Sequence, residues 1–151
     1  MYKFSKKSLD SLSAVDPRLQ TLMYAVLSNS PYDFGIPSTG GFRTSEEQNE
    51  LYKKGWSTKD GYNKKSYHQS GLAVDIALYD EHGLCYECRD KYEEVADVVI
   101  SKFKELREIG VFPFDSYIRW GGDWNRNGIR VDNDPNEYFL DLPHFELRNL
   151  I

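Results

Sequence analysis

The sequence predicts an α+β fold, with a small antiparallel sheet packed with two to three helices. Two stretches, residues 19–27 and 92–106, repeat apolar residues at helical spacing. Short runs at 72–78, 117–120 and 144–147 have strand character. Helical and extended segments follow one another without a regular βαβ rhythm, which argues against a parallel sheet.

In chain order, Asp16-Pro17 reads as an N-cap followed by proline at the first helical position. Leu19, Leu22, Met23, Val26 and Leu27 then share one face of a helix ending near Asn29. Residues 30–41, rich in Pro, Gly and Ser, form a loop with short extended pieces. Residues 41–44 are expected to be a strand end, and Ser45-Glu46-Glu47-Gln48 fits a capping box opening a short helix that stops at Gly55. A polar surface loop is expected from Trp56 to Gln69. Residues 72–78 are the strongest strand, turning at Asp80-Glu81-His82-Gly83. A long helix from Asp90 to Glu108 turns Tyr92, Val95, Ala96, Val99, Phe103 and Leu106 inward. Tyr117-Ile118-Arg119-Trp120 suits a strand closed by Gly121-Gly122, a polar loop runs to Pro135, and a final strand covers His144 to Leu147.

The 151 residues fit one domain, 1–151, large enough to bury a core without staples. With 19 basic against 24 acidic residues the net charge is −5, which speaks against a nucleic-acid partner and gives no pull toward anionic membranes. The apolar run at 22–27 is far shorter than a membrane span, so no stable membrane association is expected. The basic first ten residues lack a following apolar stretch, so no signal peptide is expected and the chain should stay in the cytoplasm unless released. Cys85 and Cys88, so close together, cannot staple the fold. With His82 they supply three ligands where a structural zinc needs four, so reduced thiols in a turn are expected.

Chemistry concentrates on few residues. His68 ends a loop, and Asp75 follows seven residues later inside an apolar strand, where a carboxylate is costly unless paired or metal-bound. His144 again stands where a loop enters a short strand. Two imidazoles and a carboxylate make a three-ligand zinc set with one position open for water, the pattern of catalytic sites. Asp141, three residues before His144, is placed to act on that water as a general base. Spacing alone also allows a capping or core histidine and an aspartate turned to solvent.

Ser66-x-His68-x-x-Gly71-x-Ala73-x-Asp75 followed by Asp141-x-x-His144 resembles the zinc peptidases that include D-Ala-D-Ala carboxypeptidases and dipeptidases. The likeness is closest to single-domain phage endolysins that are L-alanyl-D-glutamate endopeptidases. It covers nearly the whole chain, through Phe4-Ser5-x-x-Ser8-Leu9, Asp33-Phe34-Gly35, Phe42-Arg43-Thr44 with Glu47-Gln48, Trp120-Gly121-Gly122-Asp123-Trp124 and Pro143-His144-Phe145-Glu146-Leu147. The resemblance implies zinc on His68, Asp75 and His144, carried by the sheet, and Asp141 as general base where some relatives carry glutamate. It implies Arg43 as a hydrogen-bond donor to the developing oxyanion, with Ser66 and Gln48 as candidate substrate contacts. The implied function is a monomeric endolysin cutting the L-alanyl-D-glutamate bond of peptidoglycan stem peptides after release to the cell wall. A D-Ala-D-Ala carboxypeptidase or dipeptidase, or a non-catalytic wall-binding module that keeps zinc, are the alternatives. Asp141 and Arg43 together favour an enzyme over a pure binder.

A second candidate ion site is Asp123-x-Asn125-x-Asn127-Gly128, with oxygens at alternate positions before a glycine as in EF-hand calcium loops. Asp132 or Asp134 would close the shell, Asp134 standing where such loops carry glutamate. An ordinary Asx-rich turn before Pro135 is the other reading. Tyr67, Trp120 and Trp124 are candidate groove lining or buried packing.

Overall fold

A computed structural model describes residues 1–128 and 140–149 of the chain. Helix α1 (Lys6–Leu12) is capped by Ser5, whose side chain accepts from the Ser8 amide. Helix α2 (Pro17–Asn29) starts as the sequence predicts, with Asp16 as N-cap accepting from Arg18 N and proline in the first turn. Strand β1 (Phe34–Gly35) is the short extended piece in the following loop. Ser8 Oγ accepts from Ile36 N at 3.0 Å and ties α1 to it.

Helix α3 (Ser45–Lys53) opens one residue earlier than its expected cap: Thr44 is the N-cap and Glu47 closes the box. The alternative box fails because both of its residues are engaged elsewhere. The Ser45 hydroxyl accepts from Gln69, and Gln48 turns inward to Ser57 and Lys59. The strand end expected at 41–44 is irregular chain. Its amides are drawn into other bonds, with Arg43 N donating to His68 O.

The expected strand at 72–78 is two strands: β2 (Ala73–Asp75) and β3 (Ala77–Asp80). Apart from Asp75 the run is apolar, and Ala73, Val74, Ile76, Ala77 and Leu78 are buried, so its pattern is that of one interior strand. The change of partner happens at Ile76, whose amide donates to Pro143 O while the Asp75 amide donates to Gly40 O. Strand β3 turns through Glu81-His82 into β4 (Gly83–Cys85), and β1, β3 and β4 form one antiparallel sheet in that order. Strand β5 (Ser116–Gly121) and the long β6 (Asp141–Asn149) complete a second antiparallel sheet, ordered β2-β6-β5. The α+β class thus holds, with two three-stranded sheets among the described residues rather than one. Cys85 and Cys88 occupy the expected turn but are paired as a disulfide rather than held as free thiols, bridging the end of β4 to the cap of helix α4 (Arg89–Glu108).

The core lies between α2 and α4 and the sheets. Leu19, Leu22, Met23, Val26 and Leu27 pack with Tyr92, Val95, Val99, Phe103 and the inner residues of β2, β3, β5 and β6. Each such side chain contributes about 1.5–3 kcal/mol on burial. The Tyr92 hydroxyl accepts from Leu78 N at 3.4 Å, which gives a fully buried tyrosine a partner and anchors α4 to β3. No helix among the described residues is long and apolar enough to cross a membrane.

The junction of β5 and β6 leads to the site. Gly121 pairs with Asp141 across a register shift after Trp120. A methyl group on Gly121 would run into the Asp141 backbone carbonyl. Gly121→Ala is therefore expected to push the start of β6 away and lower the melting temperature, and an unchanged melt would show that this contact does not hold the start of β6.

Candidate metal centre

His68 sits in the segment expected to be a plain loop, but on a short 3₁₀ turn, Tyr67–Ser70, with its own capping box. Ser66 Oγ accepts from His68 N and Gln69 Oε1 accepts from Ser66 N, so the signal was Ser66-x-x-Gln69 itself. Gly71 ends the turn at φ +69°, a left-handed conformation that suits glycine, and sends the chain into β2. The β2–β6 register then sets Asp75 opposite His144. A sequence separation of 69 residues is closed by one strand pairing.

The three side chains converge. His144 Nδ1 lies 3.0 Å from Asp75 Oδ1, and His68 Nε2 lies 3.3 Å from the same oxygen. One donor atom from each of His68, Asp75 and His144 lies within 4.8 Å of the others. The atoms turned away from this point are each tied down. His68 Nδ1 bonds Gly41 O at 2.8 Å, His144 Nε2 bonds Glu146 Oε1 at 2.9 Å, and Asp75 Oδ2 accepts from Arg43 Nη2 at 2.9 Å. His68 Nε2, buried and facing the centre, has no hydrogen-bond partner among the described residues. A buried imidazole nitrogen with its far side fixed and its near side orphaned fits a metal ligand, as do the N, N, O donor types.

Charge is distributed unevenly around this point. Burial alone would raise the Asp75 carboxyl, but the charge of His68 and the bond from His144 hold it far below the usual range. His144 loses basicity to burial and regains more from its bonds to Asp75 and Glu146, ending at about 9. Asp141 goes the other way: burial, then the Asp75 charge, raises its carboxyl above the ordinary value. Glu146 is lowered despite burial by His144, Arg119 and Arg148. Two neighbouring carboxyls pushed in opposite directions are the usual sign of one ligand and one acid–base group.

Arg43, Ser66, His68, Asp75, Asp141 and His144 all line one open cleft of about 560 Å³. Gln48 does not line it: it is fully buried, and its Oε1 accepts from Arg43 Nη1. Arg43 Nε donates to Thr39 O, so each nitrogen of the guanidinium has a partner and Nη2 is held on Asp75. Trp120 is buried, donating to Leu142 O and stacked on Phe145, whereas Trp124 and Tyr67 line the cleft. Glu146, Arg119 and Arg148 also line it and were not singled out from the sequence. For Glu146 a signal existed, since it stands two residues after His144 on a strand and so shares its face.

In the second candidate ion site, Asp123 accepts from the amides of Asn127 and Gly128, and Asn125 accepts from Asn127 N. These are the bonds of an Asx-rich turn. Asp132 and Asp134 lie outside the described residues.

Two histidines and a carboxylate able to hold a metal, beside a raised carboxyl in an open cleft, fit the class of metallopeptidases. Residues 1–148 match the model of the phage L-alanyl-D-glutamate peptidase family, and the chain belongs to that family. It is 33% identical over 128 residues to the L-alanyl-D-glutamate peptidase of Escherichia phage T5, covering 84% of this chain and 85% of the relative. It is 33% identical over 130 residues to the peptidoglycan L-alanyl-D-glutamate endopeptidase CwlK of Bacillus subtilis (strain 168), covering 82% of this chain but 65% of that longer relative. The crystal structure of the Serratia marcescens L-Ala D-Glu endopeptidase ChiX superposes with a TM-score of 0.67 at 25% identity, over 97% of this chain and 90% of that one. The protein is a peptidase of this kind, as the resemblance implied.

Proposed function

We propose that the chain is one zinc peptidase domain that hydrolyses the L-alanyl-D-glutamate bond of peptidoglycan stem peptides, with His68, Asp75 and His144 as the metal ligands. The observation that carries this reading is the donor set itself: two buried histidines and a half-buried aspartate converge, each with its outer atom already fixed. The nitrogen-rich set suits zinc better than calcium or magnesium, which favour all-oxygen shells. At Asp123, Asn125 and Asn127 the second candidate ion is calcium, tested by titration, in which unchanged fold and activity would leave an ordinary Asx turn.

Zinc held there supplies Lewis acidity toward a carbonyl and toward water. Asp141, raised by burial, takes the proton of the attacking water and passes it to the departing amine of the D-glutamyl residue. Arg43 steadies Asp75 and lends its charge to the oxyanion that forms beside it. Ser66 holds the turn that presents His68, and Gln48 holds Arg43, so both act by positioning.

The test is mass spectrometry of purified peptidoglycan digested with and without a chelator. New N-terminal D-glutamyl peptides, abolished by chelation and restored by zinc, are expected. Free D-alanine would move the assignment to a carboxypeptidase using the same centre. No metal-dependent product from folded, zinc-loaded protein would return it to a binding module.

Glu146 offers a second check. Its bond to His144 Nε2 orients the ring so that Nδ1 faces the centre. Glu146→Ala is expected to weaken zinc affinity by roughly 10- to 100-fold, read by competition with a chromogenic chelator. Unchanged affinity would mean that the ring is oriented without this carboxylate.

A further inference from the structure

The cleft wall beyond His144 carries two guanidinium groups around one carboxylate. Arg119 stands directly across from Glu146 in the β5–β6 register, and Glu146 shares a strand face with His144 two residues away. Arg119 Nε is 3.4 Å and Arg148 Nε 2.7 Å from the same oxygen, Glu146 Oε2, while Oε1 belongs to His144. One buried negative charge, 4% exposed, thus answers two cations and an imidazole N–H. Among the described residues, two guanidinium groups therefore share one carboxylate on this wall.

Both arginines are propped on aromatic rings. Arg119 lies over Trp124 at 4.8 Å and Arg148 over Tyr67 at 4.6 Å. Trp124 also touches His144, with ring centroids 5.5 Å apart, so it sets the distance between Arg119 and the metal centre. Arg119 Nε is buried, yet 26% of the side chain stays exposed in the cleft. Such a half-open cation is poised for an anion that enters with substrate.

The substrate class supplies one. In a stem peptide the D-glutamyl residue continues through its γ-carboxyl, leaving its α-carboxylate free beside the scissile nitrogen. That carboxylate lies about 3–4 Å from the scissile carbonyl carbon along the C–N–Cα–C path. Adjacent same-face residues on a strand are about 6–7 Å apart, so a group on the wall next to His144 is within side-chain reach of it.

We propose that Arg119, backed by Arg148, is the specificity-determining cation that binds the free α-carboxylate of the D-glutamyl residue on the leaving side of the bond. The inference rests on the peptidase reading above and narrows it to one chemical group. It implies a preference for a free carboxylate over its carboxamide at that position.

Two soluble muropeptides, identical except for carboxylate or carboxamide on that carbon, test it with zinc-loaded wild type, Arg119→Gln and Arg119→Lys. Wild type should favour the carboxylate substrate by roughly 10- to 100-fold in kcat/KM, chiefly through KM. Arg119→Gln should lose more on the carboxylate than on the carboxamide and so shrink this preference, and Arg119→Lys should recover part of it. The carboxamide substrate serves as the control for a merely misfolded variant. Equal losses on both substrates in Arg119→Gln, or no preference in wild type, would overturn the assignment of Arg119 and leave the peptidase reading standing. Failure of wild type to cut either muropeptide would overturn the peptidase reading, and this inference with it.

Discussion

Asp141→Asn should lower kcat/KM on muropeptides by about 10²- to 10⁴-fold, with zinc content unchanged. Asparagine keeps the shape of the side chain and leaves the three ligands alone, so only the proton acceptor is removed. Stability should move in the opposite direction. Burial and the Asp75 charge raise the Asp141 carboxyl in the folded protein, so the fold favours its neutral form. Above the ordinary carboxylate range the wild type therefore carries an unfavourable buried charge, and below that range it does not. The metal-free asparagine variant should melt higher than metal-free wild type at neutral pH, with the gap closing on acidification. Retained turnover would remove Asp141 from the mechanism, and an unchanged or lower melt at neutral pH would show that burial there carries no charge penalty.

Asp75→Ala should abolish zinc binding and hydrolysis together, and it should also weaken the metal-free fold. Asp75 binds Arg43, and both are largely buried, so alanine strands a guanidinium whose remaining hydrogen bonds among the described residues are to Thr39 and Gln48. Removing one partner of such a pair costs about 3–5 kcal/mol. The charge of His68 and the bond from His144 hold the Asp75 carboxyl far below its usual value, so the stabilisation Asp75 gains from these histidines is present above the ordinary carboxylate range and fades as pH falls through the lowered one. Pairing the change with Arg43→Met should recover part of the loss, because no uncompensated cation remains. Denaturant melts of the single and double variants at neutral pH decide this. A double variant as unstable as the sum of its parts would show that the two residues act separately.

The parts of this molecule that were legible in its sequence are those written locally. Asp16-Pro17 caps α2 because capping chemistry involves residues a turn apart, and the inward face of α4 follows from spacing alone. The three candidate ligands were legible as residue types because a carboxylate in an apolar run requires a partner. The break at Ile76 was not, since a run buried in two successive sheets has the same apolar pattern as one long strand. The choice between Thr44 and Ser45 as cap depended on Gln48 being drawn toward Arg43, a contact that helix rules do not contain. Arg119 and Glu146 meet only through the β5–β6 register, which is set across a long sequence interval. The pairing of Cys85 with Cys88 turned on the local path between β4 and α4 rather than on any need for a staple.

Strand β6 runs down the middle of its sheet, flanked by β2 and β5, and it carries Asp141, His144, Glu146 and Arg148. Detaching it would strip both neighbours of their hydrogen bonds and remove a quarter of the residues lining the cleft, His144 and Asp141 among them, in the same event. Catalytic competence therefore requires the long-range strand pairing as well as the helices. Partly folded molecules are unarmed, and heat or denaturant should extinguish hydrolysis and the sheet along a single transition.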